Sequence, residues 1–165
     1  MTATSNLIAG LVPDSNVLLG CDLGSKKRVF ERIGLLVENH HGIGRSTVFD
    51  SLFARERLGS TGLGQGVAIP HGRIKGLREA IGVFVRMGAP IAFDAPDGAP
   101  VNLIFALLVP ERATDLHLEI LAQLAELFSD RDMRQQLAAA TDVAVLRSLL
   151  EQWSPDATAQ RSPTV

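Results

Sequence analysis

Apolar residues recur at helical spacing in the first third of the chain and predict two helices. The first follows Ser25, with Asp22 as the alternative cap, and Gly42 ends it. Its stripe contains Val29, Phe30, Ile33, Leu36, Val37 and His40. Ser46 is the predicted cap of the second helix, which ends at Gly59. The apolar side of this helix contains Val48, Phe49, Leu52 and Phe53.

A second group of helical patterns occupies the last third of the chain. Thr114 opens a helix with a broad apolar face. This face contains Leu116, Ile120, Leu121, Leu124, Leu127 and Phe128. Residues 130–140 predict another helix, and Asp142 caps a last one that includes Leu150. Residues 154–165 are rich in Pro, Thr, Ala and Gln without apolar anchors, which predicts a disordered tail.

Short apolar runs between these patterns predict strands. They cover residues 16–19, 67–69, 80–87 and 101–109. Pro, Asp and Gly residues at 93–98 predict a tight turn between the last two strands. Interleaved helices and strands are typical of layered α/β domains. The predicted fold is therefore α/β, a single layered domain whose mixed β-sheet is flanked by helices on both faces.

The composition narrows the possible partners and the compartment. The 165 residues fit one domain, and the 16 basic and 18 acidic residues are well mixed, with a net charge of −2. Such a balance argues against nucleic-acid binding and against an anionic membrane partner. The single cysteine, Cys21, cannot form an internal disulfide, which favours a reducing cytoplasm. The N-terminus lacks the features of a signal peptide, and no apolar run is long enough for membrane insertion.

Residues 55–73 contain the candidate chemistry. This stretch begins with Arg55 and Arg57 and continues with a glycine-rich loop, the apolar run 67–69 and His71. Ligands collect at the carboxyl ends of strands in open α/β sheets, and the spacing puts His71 just past such an end. A neutral imidazole there can act as a nucleophile. The arginines, with the hydroxyls of Ser60 and Thr61 and the loop amides, could hold a phosphate without a metal.

His117 is the second candidate histidine. It lies on the apolar face of the helix that Thr114 opens, in the first turn. The positive end of the helix dipole attracts anions and disfavours imidazolium. We therefore expect a neutral His117 that donates a hydrogen bond to a phosphate or to a group on His71.

Structural roles are the alternative for each of these residues. His71 could be a strand-end residue with a satisfied ring, His117 a hydrogen-bonded core residue, and Arg55 and Arg57 simple partners of a helix dipole. The glycine-rich loop is not a P-loop, because no Lys-Ser or Lys-Thr follows it. Acidic residues near His117 do not form a zinc-ligand set. The sequence predicts neither a cofactor nor a metal site.

Two motifs resemble a known family. Residues 55–62, Arg-Glu-Arg-Leu-Gly-Ser-Thr-Gly, and 66–73, Gly-Val-Ala-Ile-Pro-His-Gly-Arg, are similar to the IIA domain of the fructose/mannitol class of the bacterial phosphoenolpyruvate:sugar phosphotransferase system. The nitrogen regulatory IIA branch is the most similar. The likeness continues through residues 90–95 and 103–110 to His117, and it covers residues 7–152 as one domain.

The resemblance implies a role for each candidate residue. His71 would accept a phosphoryl group from an HPr-like phosphocarrier protein, and the chain would be a phosphotransferase component. Arg55, rather than Arg57, would neutralise the phosphoryl oxygens, and His117 would hydrogen-bond them. The residues themselves, apart from the resemblance, predict a phosphate-contacting loop of Ser60, Thr61 and Gly72.

The resemblance also implies regulation. Neither a membrane segment nor a second domain accompanies the IIA region in this sequence, which favours regulation over sugar transport. In the nitrogen branch, the phosphorylation state controls binding to proteins such as potassium-transport regulators and kinases. The alternatives are a sugar-specific IIA component that passes phosphate to a separate IIB protein, and an interaction module that is never phosphorylated.

Overall fold

The computed structural model describes residues 5–112 and 114–155. Its helices are α1 (Lys26–His41), α2 (Arg45–Glu56), α3 (Thr114–Ser129), α4 (Arg131–Ala139) and α5 (Val143–Gln152), with 3₁₀ turns at Ala9–Leu11 and Asp14–Asn16. Its strands are β1 (Val17–Cys21), β2 (Gly62–Gly64), β3 (Val67–Ala68), β4 (His71–Ile74), β5 (Ile81–Ile91) and β6 (Val101–Pro110). Each helix and strand that the sequence predicts is present, with shifted ends.

The strands form one mixed sheet. Their order is β1-β5-β6-β3-β2, and β4 pairs with β6 as well. The pairs β1–β5, β3–β6 and β4–β6 are parallel, whereas β5–β6 and β2–β3 are antiparallel. The prediction of a mixed sheet is confirmed.

Alternation along β6 divides the core between the two faces of the sheet. Leu103, Phe105 and Leu107 pack with α3, α4 and α5, whereas Ile104 and Leu108 pack with α1 and α2. Successive side chains of a strand point to opposite faces, so a strand that is apolar throughout needs cover on both. The predicted helical layer on each face is confirmed.

The ends of α1 agree with the sequence, but those of α2 do not. Ser25 caps α1 by accepting a hydrogen bond from the Arg28 amide at 3.2 Å, so Asp22 is not its cap. The predicted Ser46 cap of α2 is wrong, because α2 begins at Arg45, whose amide donates to the Glu38 carboxylate at 2.8 Å. A side chain from α1 thus satisfies an amide that a local cap would otherwise bond.

The glycine-rich loop is a β-hairpin between β2 and β3. Gln65 and Gly66, its central residues, have φ values of 58° and 80°, as a two-residue hairpin turn of type I′ requires. Asp97, from the turn predicted at 93–98, accepts a hydrogen bond from the Gln65 amide at 2.9 Å. The glycines therefore serve strand reversal.

His71 lies just past the carboxyl end of β3, as predicted, and it also begins β4, a strand that the sequence analysis did not predict. Ala68 pairs with Ile104 and His71 with Leu107, which keeps one register along β6 on both sides of Pro70. Pro70 has no amide hydrogen, but its carbonyl accepts a hydrogen bond from the Leu107 amide at 2.9 Å. Pairing with β6 therefore fixes the backbone around His71.

The described termini pack against each other just beyond the predicted limits of 7–152. The Asn6 side-chain amide donates to the carbonyls of Leu150 and Trp153 at 2.7 and 3.0 Å, and Trp153 is buried. Ser154 and Pro155 are described, and Pro155 is buried. The rest of the predicted tail, 156–165, lies outside the described residues. Among the described helices, none is long and apolar enough to cross a membrane.

Candidate functional site

A surface pocket of about 470 Å³ contains four of the predicted site residues. They are Arg55 from α2, His71 and Gly72 from β4, and His117 from α3. The pocket is also lined by Ser51, Ala54, Leu58 and Arg73. Elements from both faces of the sheet thus meet at the strand that carries His71.

The His71 ring is held in one tautomer. Its Nδ1 lies 2.8 Å from the Ile69 carbonyl oxygen, which can only accept, so Nδ1 carries the proton. The neutral ring therefore has its lone pair on Nε2. Burial lowers the pKa of His71 below its ordinary value of 6.5, and the Arg55 charge lowers it further, against the opposing hydrogen bond to Ile69. A neutral, nucleophilic Nε2 at neutral pH follows.

His117 supplies a buried nitrogen next to His71. The two ring centroids are 5.4 Å apart and the ring planes meet at 71°. His117 is 9% exposed, and its Nε2 has no hydrogen-bond partner among the described residues. Burial, then the neighbouring His71 and Arg73, lower the pKa of His117. The ring is therefore neutral and can bond a group that arrives at His71.

The two arginines predicted near the site lie in different places. Arg55 lines the pocket, and its Nη1 donates to the Gly59 carbonyl at 2.8 Å. The guanidinium of Arg57 lies over the Phe53 ring, 5.7 Å from its centroid, and is not part of the pocket lining. Sequence reasoning missed a further guanidinium in the lining, that of Arg73. The signal was its position two residues after His71, on the same side of a strand.

Gly72 lets α2 approach β4 closely. A Cβ at Gly72 would lie 2.9 Å from the Ser51 carbonyl oxygen, closer than real Cβ atoms come to backbone. The Ser51 hydroxyl donates to the Arg73 carbonyl at 2.8 Å and ties the helix to the strand. The close approach brings the helix of Arg55 next to His71.

The structure does not bring Ser60 and Thr61 into this pocket. The Ser60 hydroxyl donates to the Phe93 carbonyl at 2.6 Å, and the Thr61 hydroxyl donates to Glu56 at 2.6 Å. Sequence reasoning missed Glu56, which continues the buried stripe of Val48 and Leu52 at four-residue spacing. An acidic residue at a buried helical position was the available signal.

The histidines predict how stability depends on pH. Both His71 and His117 have a pKa below the ordinary 6.5, so the unfolded chain takes up protons first as the pH falls below that value. Proton uptake by the unfolded state favours unfolding, so the free energy of unfolding should fall between about pH 7.5 and about pH 5.5. Urea titrations across this range measure it. A double variant with His71→Gln and His117→Gln should show a shallower fall, and an equal slope would contradict the assignment.

The chain belongs to a protein family whose model matches most of its residues. Residues 11–153 match the family model described as phosphoenolpyruvate-dependent sugar phosphotransferase system, EIIA 2. The resemblance found in the sequence is confirmed, and with it the class of the domain: a phosphotransfer component of that system.

Particular relatives refine this assignment. The chain is 47% identical over 128 residues to a nitrogen regulatory protein from Pseudomonas aeruginosa, covering 77% of this chain and 83% of that protein. The crystal structure of nitrogen regulatory protein IIA-Ntr from Neisseria meningitidis is 52% identical, with a TM-score of 0.84 over 87% of this chain and 99% of that one. A fructose-specific EIIA component from Haloferax volcanii is 33% identical over 106 residues, covering 64% of this chain and 69% of that protein.

Proposed function

We propose that Nε2 of His71 accepts a phosphoryl group from a phosphohistidine of an HPr-like phosphocarrier. The observation that carries this proposal is the bond from Nδ1 to the Ile69 carbonyl, which leaves the Nε2 lone pair free in a pocket with two arginines. Phosphoryl transfer needs mainly positioning and charge stabilisation, and these groups supply both without a metal.

Four pocket residues take part in the proposed transfer, which are Arg55, His71, Arg73 and His117. The Nε2 lone pair forms the new N–P bond, the carrier's N–P bond breaks, and its electron pair stays on the carrier's ring. The Nδ1 proton remains on His71, bonded to Ile69. Arg55 and Arg73 balance the phosphoryl charge, and His117 bonds a phosphoryl oxygen.

The phosphorylation state then controls binding to other proteins. Because PO₃⁻ is added to a neutral ring that keeps its Nδ1 proton, the site gains one net negative charge and three strong acceptor oxygens, which changes the surface that the pocket can contact. Leu58, on the pocket rim, is 85% exposed and would belong to that contact. The similarity to nitrogen regulatory proteins supports a regulatory role. The proposal includes a cytoplasmic location and potassium-transport regulators or kinases as the class of target.

Reconstitution tests the phosphoryl-accepting role. The protein is incubated with phosphoenolpyruvate and the upstream carriers, intact mass reports an added phosphoryl group, and phosphorus NMR distinguishes Nε2 from Nδ1 attachment. Absence of the group would overturn the proposal. Partner affinity is then measured for both forms; identical affinities would instead favour an interaction module that does not depend on phosphorylation.

A sugar-specific role is the second candidate. The similarity to a fructose-specific EIIA component favours it, because such a component would pass the phosphoryl group to a separate IIB protein. Mixing the phosphorylated protein with IIB domains discriminates the two. Rapid transfer of the group to a IIB domain would support the second candidate, and retention would support the regulator.

His117 gives a testable contribution to this chemistry. His117→Ala should slow phosphoryl uptake roughly 10²-fold, the usual cost of one preorganised donor. The fold should survive, because the buried Nε2 makes no hydrogen bond to other described residues. Rapid-quench kinetics measure the rate, and urea unfolding checks the fold. Loss of cooperative unfolding would show that the residue is mainly structural.

A further inference from the structure

Glu56 is a buried carboxylate at the last residue of α2, adjacent in sequence to Arg55. One of its oxygens accepts the Thr61 hydroxyl at 2.6 Å, and the other accepts the Thr61 amide and the Lys26 ammonium, each at 3.0 Å. A buried carboxylate is retained only if its charge is paired and its oxygens are bonded. The group is therefore fully engaged without using Arg55.

Lys26, and neither Arg55 nor Arg57, is the ion-pair partner of Glu56. It forms the ion pair with Glu56, and its Nζ also lies 4.6 Å from the centroid of the Phe93 ring. Arg57 lies over Phe53 on another side of the helix end. Because Lys26 is the ion-pair partner of Glu56, the Arg55 guanidinium does not pair with that carboxylate. Its positive charge is therefore available to a group bound in the pocket.

The bonds from Glu56 to Thr61 close a turn made of residues 57–60. Inside it, the Gly59 amide donates to the Glu56 carbonyl at 3.1 Å. The Gly59 carbonyl accepts the hydrogen bond from Arg55 at 2.8 Å. The carboxylate thus holds the turn, and the turn holds the guanidinium beside His71.

We propose that Glu56 is a positioning residue for phosphoryl transfer: bonded to Thr61 and Lys26, it fixes the 57–60 turn and thereby sets Arg55 in the His71 pocket. This inference rests on the proposed function for its catalytic meaning. Glu56 itself lies outside the pocket lining and acts through Arg55.

The pKa of His71 gives an independent measure of where the Arg55 guanidinium lies. The charged or titratable groups that influence the two pocket histidines are Arg55 and Glu56 from α2, Arg73 from β4, and the histidines themselves. Glu56 raises the pKa of His71, whereas Arg55 lowers it. The part of the His71 pKa shift that Arg55 causes therefore reports whether the guanidinium faces the pocket.

Glu56→Gln is the main test, because it keeps shape while it removes the charge and one acceptor. We expect phosphoryl uptake to slow roughly 10- to 100-fold, since misplacement by about 1 Å can cost 10²-fold. The loss should appear in kcat rather than in KM for the carrier. Glu38→Gln is the matched control, because Glu38 bonds the opposite end of the same helix, and its rate should stay within about twofold of the unmodified protein.

Proton NMR titration of His71 in a double-variant cycle is the readout that a merely structural role would not move. Arg55→Ala should raise the His71 pKa in the unmodified protein, because Arg55 lowers it, and should raise it less in the Glu56→Gln background, where the guanidinium no longer faces the pocket. Unchanged uptake in Glu56→Gln, or an equal effect of Arg55→Ala on the His71 pKa in both backgrounds, would overturn the inference. Where Glu56→Gln does not fold, Thr61→Val must slow uptake and Thr61→Ser must restore it, or the inference fails.

The two measurements separate this inference from the proposed function. If the unmodified protein takes up no phosphoryl group, the proposed function fails. The NMR titrations need no phosphoryl donor, so a smaller effect of Arg55→Ala on the His71 pKa in the Glu56→Gln background would still support the positioning of Arg55 by Glu56, and an equal effect would refute it.

Discussion

Replacing His71 with alanine is expected to abolish phosphoryl uptake. The Nε2 of His71 is the proposed acceptor, because Nδ1 is committed to the Ile69 carbonyl and the neutral ring has no second proton. The His117 ring centroid lies 5.4 Å from that of His71, and its Nε2 has no partner in the described part of the chain. His117 should not substitute as acceptor, because its role is to bond the group that His71 carries. Intact mass after incubation with phosphoenolpyruvate and the carriers measures the outcome.

A matched control removes a histidine outside the pocket. His40 is exposed near the end of α1, and His40→Ala should accept the phosphoryl group at an unchanged rate. His71→Gln should behave like His71→Ala, because an amide keeps polarity but is a poor nucleophile. A phosphoryl group on His71→Ala would refute the assignment, and its location by peptide mass would show whether His117 accepts it.

The second large effect concerns the arginines. Arg55→Ala should slow phosphoryl uptake roughly 10³-fold, the lower end of the range for an arginine that stabilises a transferring phosphoryl group. Arg57→Ala should stay near the unmodified rate, because the Arg57 guanidinium lies over Phe53 and does not line the pocket. The pair is well matched, since both residues are cationic and lie at the same helix end.

Single-turnover kinetics with a phosphorylated carrier test this pair. Arg55→Lys should recover part of the loss, because a lysine restores charge but not the planar fork that fits phosphoryl oxygens. Equal rates for Arg55→Ala and Arg57→Ala would contradict the selection of Arg55. A loss confined to KM would show that Arg55 serves carrier docking rather than the transfer itself.

The sequence predicted the pocket better than it predicted the loop beside it. Arg55, His71, Gly72 and His117 line one pocket, and the family resemblance implied the joint site of Arg55, His71 and His117. Ser60 and Thr61 do not join them. A glycine-rich run fits both an anion-binding loop and a hairpin with positive φ, and pairing of β3 with β6 decides between them. That pairing spans tens of residues and leaves no local signal.

Element boundaries failed for the same reason. The start of α2 depends on a carboxylate from α1, Glu38, which no spacing rule around Ser46 reveals. Proline at position 70 reads locally as the end of a strand, yet Leu107 continues the pairing to His71 across it. Ser51 and Glu56 were missed because their partners, Arg73 and Thr61, come from outside the helix that carries them. In each case the partner lies outside the element concerned, so a rule based on spacing within that element does not identify it.

The Nε2 of His117, which has no hydrogen-bond partner within residues 5–112 and 114–155, has a consequence for how long a signal persists. A desolvated nitrogen without a bond costs about 1–3 kcal/mol in the resting protein, and an incoming phosphoryl oxygen would relieve that cost. The modified state would then lie lower in energy relative to the resting one, which reduces the transfer potential of the phosphohistidine. A protein that passes the phosphoryl group on needs a phosphohistidine of high transfer potential. A more stable phosphohistidine instead lets the domain retain its phosphoryl group after the carrier has dissociated. The domain would then remain phosphorylated for some time after the carrier itself has lost its phosphoryl group.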